Sequence, residues 1–371
     1  MKRVSVLIKP ASSLCNIKCR YCFYNDISSL REVESFGKMT KETTKRMIEQ
    51  IYVDLEDGDY LSLAFQGGEP TLAGLSYYQY LIECINSQTK QVEVSYAIQT
   101  NGMVINERWC RLFKDNNFLV GLSMDGPAIF HNQGRVDWKQ KGTFERVRKT
   151  KSLFDYHEIS YNVLTVLTNE IAKEPETIFS FIMEEEIKYI QFIPCMDSLT
   201  ENHQHSFGLS PDLFASFYQK ILILWLEELK KNHYISIKLL DDLFHLLVNR
   251  QVTACGISGQ CSVQYVIEGD GSVYPCDFYV TDDYKLGNIK EHTLRELFSQ
   301  PLQQNFLYKK REVTNQCLQC PYQNICGGGC KRMKDVMYVD QEDTFCGFKE
   351  LLDDYTKELV TINQYAGRLT E

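Results

Sequence analysis

The sequence predicts an α/β protein built on parallel strands, followed by a Cys-rich C-terminal region. Three observations carry this reading: six apolar, β-branched runs that each precede a stretch of helical spacing, polar or glycine-rich loops directly after four of those runs, and eight cysteines crowded beyond residue 250. Strand and helix in alternation imply parallel pairing, because a parallel neighbour is reached only through a crossover connection. Spacing alone leaves the sheet as either barrel-like or open and doubly wound.

The runs lie at 4–8 (VSVLI), 61–65 (LSLAF), 92–98 (VEVSYAI), 118–124 (FLVGLSM), 160–167 (SYNVLTVL) and 189–193 (YIQFI). Between them, apolar residues recur at helical spacing over 40–55, 76–88, 106–116, 143–156 and 174–186, and a longer helical pattern covers 211–231. A single core seldom exceeds about 250 to 300 residues, so a chain of 371 residues implies two domains, placed here at 1–235 and 236–371. In the second, Val266 to Tyr274 reads as a hairpin turning on Asp270-Gly271. The stretch CLQCPYQNICGGGC has little apolar content and depends for order on what its cysteines bind.

Composition narrows the function. A net charge of -9 with no run of Lys or Arg counts against nucleic acid as a partner. No apolar run approaches the roughly 20 residues needed to span a bilayer. The N-terminus MKRVSVLIKP enters a strand at once, without a secretory signal, which points to the cytoplasm. In that reducing compartment clustered cysteines bind metal or do catalysis more often than they form disulfides.

CNIKCRYC follows the first strand, QGGEP (66–70) the second, QTNG (99–102) the third and DGP (125–127) the fourth. Parallel α/β sheets bind ligands at the carboxyl ends of their strands, so these loops converge on one pocket. Cys15, Cys19 and Cys22 form an isolated C-x3-C-x2-C triad in it. A structural zinc needs four protein ligands and an ordinary 4Fe-4S cluster one Cys per iron, so three thiolates leave a coordination position open for chemistry. Gly67 and Gly68 let backbone approach a ligand, and Glu69 is placed to take a cation such as an ammonium, although a GG pair alone is more often a turn. The eight C-terminal cysteines, at 255, 261, 276, 317, 320, 326, 330 and 346, divide into two complete four-thiolate sites. Spacing leaves sequential and interleaved partitions open, and zinc fits these eight taken alone. Cys84, Cys110 and Cys195 stand apart.

The triad with Tyr21 before its last Cys, the GGEP loop and the downstream cysteines resemble the radical S-adenosylmethionine superfamily with a SPASM-type extension. More closely, LIKPASSLCNIKCRYCFY, FQGGEPTLAG, QTNG, VGLSMDGP followed by His131, Asn132 and Arg135, GSVYPCDFYV, LGNI and CGGGC resemble, in order, the anaerobic sulfatase-maturating enzymes.

The resemblance implies a partial (β/α)6 TIM-like barrel over 1–235 and a SPASM domain with two iron-sulfur clusters over 236–371. It implies S-adenosyl-L-methionine and three 4Fe-4S clusters as cofactors, one of them on Cys15, Cys19 and Cys22. The auxiliary clusters would take Cys255, Cys261, Cys276 and Cys330, and Cys317, Cys320, Cys326 and Cys346. Tyr21, Gly68, Ser123, Arg135 and Met196 would contact S-adenosylmethionine, Tyr24 and Gln66 would line the pocket, and Asp277 would be the base. Taken singly, Ser123 and Met196 read as core or strand-end residues and Asp277 as a turn residue.

The implied reaction oxidises a Cys or Ser of a sulfatase, within a Cys/Ser-x-Pro-x-Arg-type motif, to Cα-formylglycine, with flavodoxin or ferredoxin as electron donor. One rival is a related radical enzyme modifying another peptide, for example by a thioether link; such enzymes commonly begin with a peptide-binding winged helix, which this N-terminus does not show. The other is an iron-sulfur carrier or zinc-stabilised binding module, neither of which needs an open triad.

Overall fold

The computed structural model describes residues 1–197, 199, 206–309 and 313–365 of the chain. Its strands are β1 (Arg3–Ile8), β2 (Ile17–Cys19), β3 (Tyr60–Phe65), β4 (Glu93–Thr100), β5 (Leu119–Ser123), β6 (Arg135–Asp137), β7 (Tyr161–Leu167), β8 (Tyr189–Pro194), β9 (Ser236–Ile237), β10 (Tyr265–Ile267), β11 (Ser272–Tyr274) and β12 (Gly287–Asn288). They are distributed over two compact units, each discontinuous in sequence.

The first unit comprises Met1–Ser123, Arg135–Tyr161 and Val263–Lys309. Its sheet runs β12-β11-β10-β1-β3-β4-β5. Val6 stands opposite Leu63 and Leu63 opposite Tyr96, all parallel, while Ala97 faces Leu119 on β5. Val6, Leu7 and Ile8 are all buried, as expected of a strand covered on both faces. The crossover helices are Lys41–Val53, Leu75–Asn86, Glu107–Asp115 and Phe144–Tyr156. Thr40 and Asn106 start two of them, each side chain accepting from N–H groups of the first turn that have no partner inside the helix. Tyr78 packs edge-on against Phe65 at 5.1 Å and Trp109 at 5.4 Å, tying helices to sheet through an aromatic core.

The hairpin read from the sequence is β10 and β11. Although it follows the boundary set at residue 235, its β10 adds to this same sheet in parallel beside β1, Val6 opposite Tyr265. A second, two-stranded sheet pairs β2 with β6 antiparallel, Ile17 opposite Asp137 and Cys19 opposite Arg135. The sequence reading missed it because a three-residue strand has no period to detect.

The second unit comprises Met124–Gly134, Asn162–Ser262 and Lys310–Glu371. In it β7, β8 and β9 pair in parallel. Its core is built on the helix Pro211–Lys230, whose Phe214, Phe217, Tyr218 and Trp225 are buried. The helix Gly347–Lys357 packs on it at a glycine, since a Cβ on Gly347 would lie 2.1 Å from the Pro211 carbonyl oxygen. All six predicted strands are present, as β1, β3, β4, β5, β7 and β8, with ends shifted by a residue or two.

Candidate active site and cysteine clusters

β1 ends at Ile8 and the chain turns sharply through Lys9 to Leu14 before reaching the triad. The QGGEP loop lies directly on this turn. Gly68 N–H donates to Ser12 O at 2.8 Å and Glu69 N–H to Leu14 O at 2.8 Å. A Cβ on Gly68 would stand 2.2 Å from the Leu14 carbonyl oxygen, so only glycine permits the approach. The glycines therefore first serve contact between loops.

Glu69 is 1% exposed. Its Oε1 accepts from the Thr71 N–H and hydroxyl and from the Thr100 hydroxyl at 2.9 Å, while Oε2 accepts from Asn101 N–H at 2.7 Å. Burial pushes this carboxyl up and those donors oppose the shift. The carboxylate thereby knits QGGEP to QTNG, with capacity left on Oε2 for the cation that the sequence reading assigns to it. Asn101 continues the link to the triad, its Nδ2 lying 2.8 Å from Asn16 Oδ1 and 3.7 Å from Cys15 Sγ.

Around the triad, Arg135 places its guanidinium 3.9 Å from Cys19 Sγ and 5.6 Å from the centre of the buried Tyr21 ring. Cys22 caps the helix Phe23–Ser29, its sulfur accepting from Asn25 N–H at 3.4 Å. Burial pushes the Cys15 thiol up to about 11 and raises Cys22 as well. Thiols so placed ionise when a cationic centre binds, which is the behaviour of cluster ligands. Ser123 is the half-buried last residue of β5 in the first unit; Met196 is buried in the second unit, two residues beyond β8.

Asp277 opens a short 3-10 turn, Asp277–Tyr279, directly after Cys276. Its Oδ1 is 2.5 Å from Lys9 Nζ, and its Oδ2 accepts from Gln66 Nε2 at 2.7 Å. Lys9 Nζ also stands 3.6 Å over the Tyr24 ring. The Tyr24 hydroxyl donates to Glu268 Oε1, and Arg31 pairs with the same oxygen at 2.7 Å. Burial, then the Glu268 carboxylate, push the Tyr24 phenol well above its ordinary value. Two cations and two anions thus alternate through the first unit. Sequence reasoning selected Asp277, Gln66 and Tyr24 but passed over Lys9, Arg31 and Glu268. A Lys at the end of a strand buried on both faces was a signal, since such charges are buried only when paired.

In the second unit Cys317, Cys320, Cys326 and Cys346 line one pocket together with Tyr338, Phe348 and Leu352. Burial pushes Cys326 up to about 11 and Cys346 up to about 12, and the neighbouring thiols add to both. A Cβ on Gly329 would fall 2.0 Å from the Tyr338 ring, so the GGG run lets the aromatic wall close. Cys330 is raised by burial and also by Cys255 and Cys261, and a Cβ on Gly256 would lie 2.7 Å from its Cβ. Cys276 belongs to the first unit. Among the described residues, no three His, Cys, Asp or Glu are placed to hold a single metal ion. Sets of thiolates alone, like these, are the donors that iron-sulfur clusters take.

The radical SAM superfamily matches residues 10–182, and an iron-sulfur cluster-binding domain, SPASM, matches residues 255–321. The chain is 37% identical over 367 residues to a cysteine-type anaerobic sulfatase-maturating enzyme of Clostridium novyi, covering 98% of each. It is 29% identical to a serine-type anaerobic sulfatase-maturating enzyme of Bacteroides thetaiotaomicron, over 92% of this chain and 86% of that one. Among solved structures, native anSMEcpe with bound AdoMet and Kp18Cys peptide is similar at a TM-score of 0.89 and 35% identity, covering 98% of this chain and 99% of that one.

Proposed function

We infer the function from kinship first: the chain belongs to the anaerobic sulfatase-maturating enzymes, radical S-adenosylmethionine proteins with a SPASM iron-sulfur domain. Its reaction is the oxidation of a sulfatase cysteine, in a Cys-x-Pro-x-Arg-type segment, to Cα-formylglycine. Greater likeness to the cysteine-type than to the serine-type relative, 37% against 29%, supports cysteine as the preferred residue.

Cys15, Cys19 and Cys22 would hold a 4Fe-4S cluster, and Tyr21, Gly68, Ser123, Arg135 and Met196 would hold S-adenosylmethionine. When bound and given one electron, this pair supplies the 5'-deoxyadenosyl radical that removes a hydrogen atom from the substrate Cβ. Asp277 takes the thiol proton. Lys9 and Gln66 fix one carboxylate oxygen each, so the base keeps one orientation. Tyr24, locked by Glu268, forms the wall behind Lys9. The thioaldehyde left after loss of proton, hydrogen atom and one further electron takes up water and releases hydrogen sulfide.

Cys317, Cys320, Cys326 and Cys346 are assigned to one auxiliary cluster, supported by the pocket they share. Cys255, Cys261, Cys276 and Cys330 are assigned to the other, supported for three of them by the proximity of Cys330 to Cys255 and Cys261. Four thiolates per cluster leave no iron open, which suits electron carriage. Flavodoxin or ferredoxin is the electron donor we assign. The cytoplasm is the compartment we assign, because cysteines clustered to bind iron-sulfur groups rather than to form disulfides suit a reducing one; no described helix is long and apolar enough to cross a membrane.

Kinship over nearly the whole chain carries this reading, and the anchored carboxylate of Asp277 is placed to serve as the base that the chemistry requires. The test is anaerobic: reconstituted protein, S-adenosylmethionine, dithionite and Cys- or Ser-bearing sulfatase peptides, with peptide mass and 5'-deoxyadenosine followed together. An aldehyde formed in step with 5'-deoxyadenosine is expected from the Cys peptide. An untouched peptide beside accumulating 5'-deoxyadenosine would leave the radical chemistry and remove the substrate.

A further inference from the structure

We propose that the β2–β6 ribbon, with the loop that follows it, is the docking surface for a small acidic one-electron carrier protein. The proposal rests on the function given above, which needs an electron brought from outside to the group held by Cys15, Cys19 and Cys22.

The ribbon carries one triad ligand itself, Cys19, paired with Arg135. Immediately after β6, Trp138 is 65% exposed and donates its indole N–H to the Cys15 carbonyl oxygen at 3.3 Å. A single ring thus reaches from solvent to the backbone of a second ligand. Exposed Trp is a costly use of apolar surface, and Trp and Arg are the side chains most enriched where proteins meet.

Charge gives the partner its chemistry. Lys18, Arg20, Lys139 and Lys141 are exposed here, and none has a carboxylate partner among the described residues. Lys18 Nζ lies 6.0 Å from the Trp138 ring centre. The acid of the ribbon, Asp137, is engaged by its own loop, accepting from the backbone N–H groups of Lys139 and Lys141 at 2.7 and 2.9 Å. Four cations on one short ribbon run against the trend of a chain whose net charge is -9. Such a field steers an acidic partner and orients it. On docking, one electron leaves the carrier, which is oxidised, and enters the group on the triad, which is reduced. No bond is made or broken.

The experiment uses the cluster-loaded holoenzyme. An oxidised flavodoxin and, in a separate arm, an oxidised ferredoxin are titrated calorimetrically to obtain Kd. The reduced carriers are then mixed by stopped flow and bleaching of the iron-sulfur absorbance is followed. For whichever carrier binds, the Lys18→Glu/Lys139→Glu/Lys141→Glu variant should weaken Kd and slow reduction by about tenfold or more and flatten the dependence on ionic strength. Reduction by dithionite, which needs no docking, should be unchanged. Trp138→Ala should weaken Kd without altering the salt dependence.

Unchanged Kd and rate in a variant with full iron content would overturn the proposal. So would wild-type carrier reduction that is indifferent to salt, a result that needs no variant to fold. Weaker binding of the sulfatase peptide with carrier binding intact would assign the surface to substrate and also overturn it. Failure of the functional reading looks different: the wild-type protein accepts electrons from the carrier and leaves the sulfatase peptide unmodified.

Discussion

Lys9 Nζ sits 2.5 Å from Asp277 Oδ1, with the lysine side chain 0% exposed and the aspartate side chain 13% exposed. β1 and the turn after β11 are brought together by the parallel pairing of β1 with β10, so the fold itself delivers the cation to Asp277. With Tyr24, Glu268 and Arg31 behind it, Lys9 belongs to a buried chain of balanced charge. Such a chain is stable whole and costly to break.

Removing Lys9 strands Asp277. Lys9→Met should lower stability by about 3 to 5 kcal/mol, the usual cost of leaving one partner of a buried pair uncompensated. Denaturant midpoints of Lys9→Met, Asp277→Asn and the double variant form the check, and the double variant should lose distinctly less than the sum of the two.

Asp277→Asn keeps the size of the side chain and an acceptor for Lys9 but removes the carboxylate that we propose as the base. Peptide oxidation should fall about 10²- to 10⁴-fold with iron content and S-adenosylmethionine binding preserved. Turnover at the wild-type rate would take the role away from Asp277.

Gly68→Ala places a methyl group against the Leu14 carbonyl, where 2.2 Å is available. Backbone cannot rotate away as a side chain can, so the triad turn and the QGGEP loop must separate. The expected result is loss of S-adenosylmethionine binding with reduced iron uptake at the triad, measured by calorimetry and iron analysis. Gly74, where a Cβ would meet nothing within 4 Å, has a positive φ and so separates space from strain: Gly74→Ala should lower stability and leave S-adenosylmethionine affinity intact.

Asp241 in the second unit gives a dependence of stability on pH. Burial pushes its carboxyl up to about 6 from an ordinary 3.8, against the hydrogen bond donated by Ser236 at 2.5 Å. The folded state therefore holds this proton more tightly than the unfolded chain. Its stabilisation is full below about pH 4 and is lost as pH rises through about 6, amounting to about 2 to 3 kcal/mol. Unfolding midpoints of the holoenzyme across this window should show a falling contribution that Asp241→Asn abolishes.

The alternation of β-branched runs with helical spacing was enough to read the six principal strands, because both periods are local properties of the chain. The triad, the QGGEP loop and the eight C-terminal cysteines were legible for a different reason: ligand chemistry restricts residue type and spacing, and both are visible in one dimension. Asp277 came through its match to a familiar motif. Nothing local distinguishes it from a turn residue.

Tertiary structure decided the rest. Pairing of β10 beside β1 depends on shape and burial across the whole first unit, so no window of sequence contains it. That pairing joins Lys9 to Asp277. The same holds for Glu268 and Arg31, whose burial is tolerable only because each finds the other, and for the ribbon that sets Trp138 against Cys15. The sequence by itself determined which chemistry the cysteines can support, since the donor set is written in residue identity. Only the fold decided how the Asp277 carboxylate is held and which face of the triad meets solvent, because those are contacts between segments far apart in the chain.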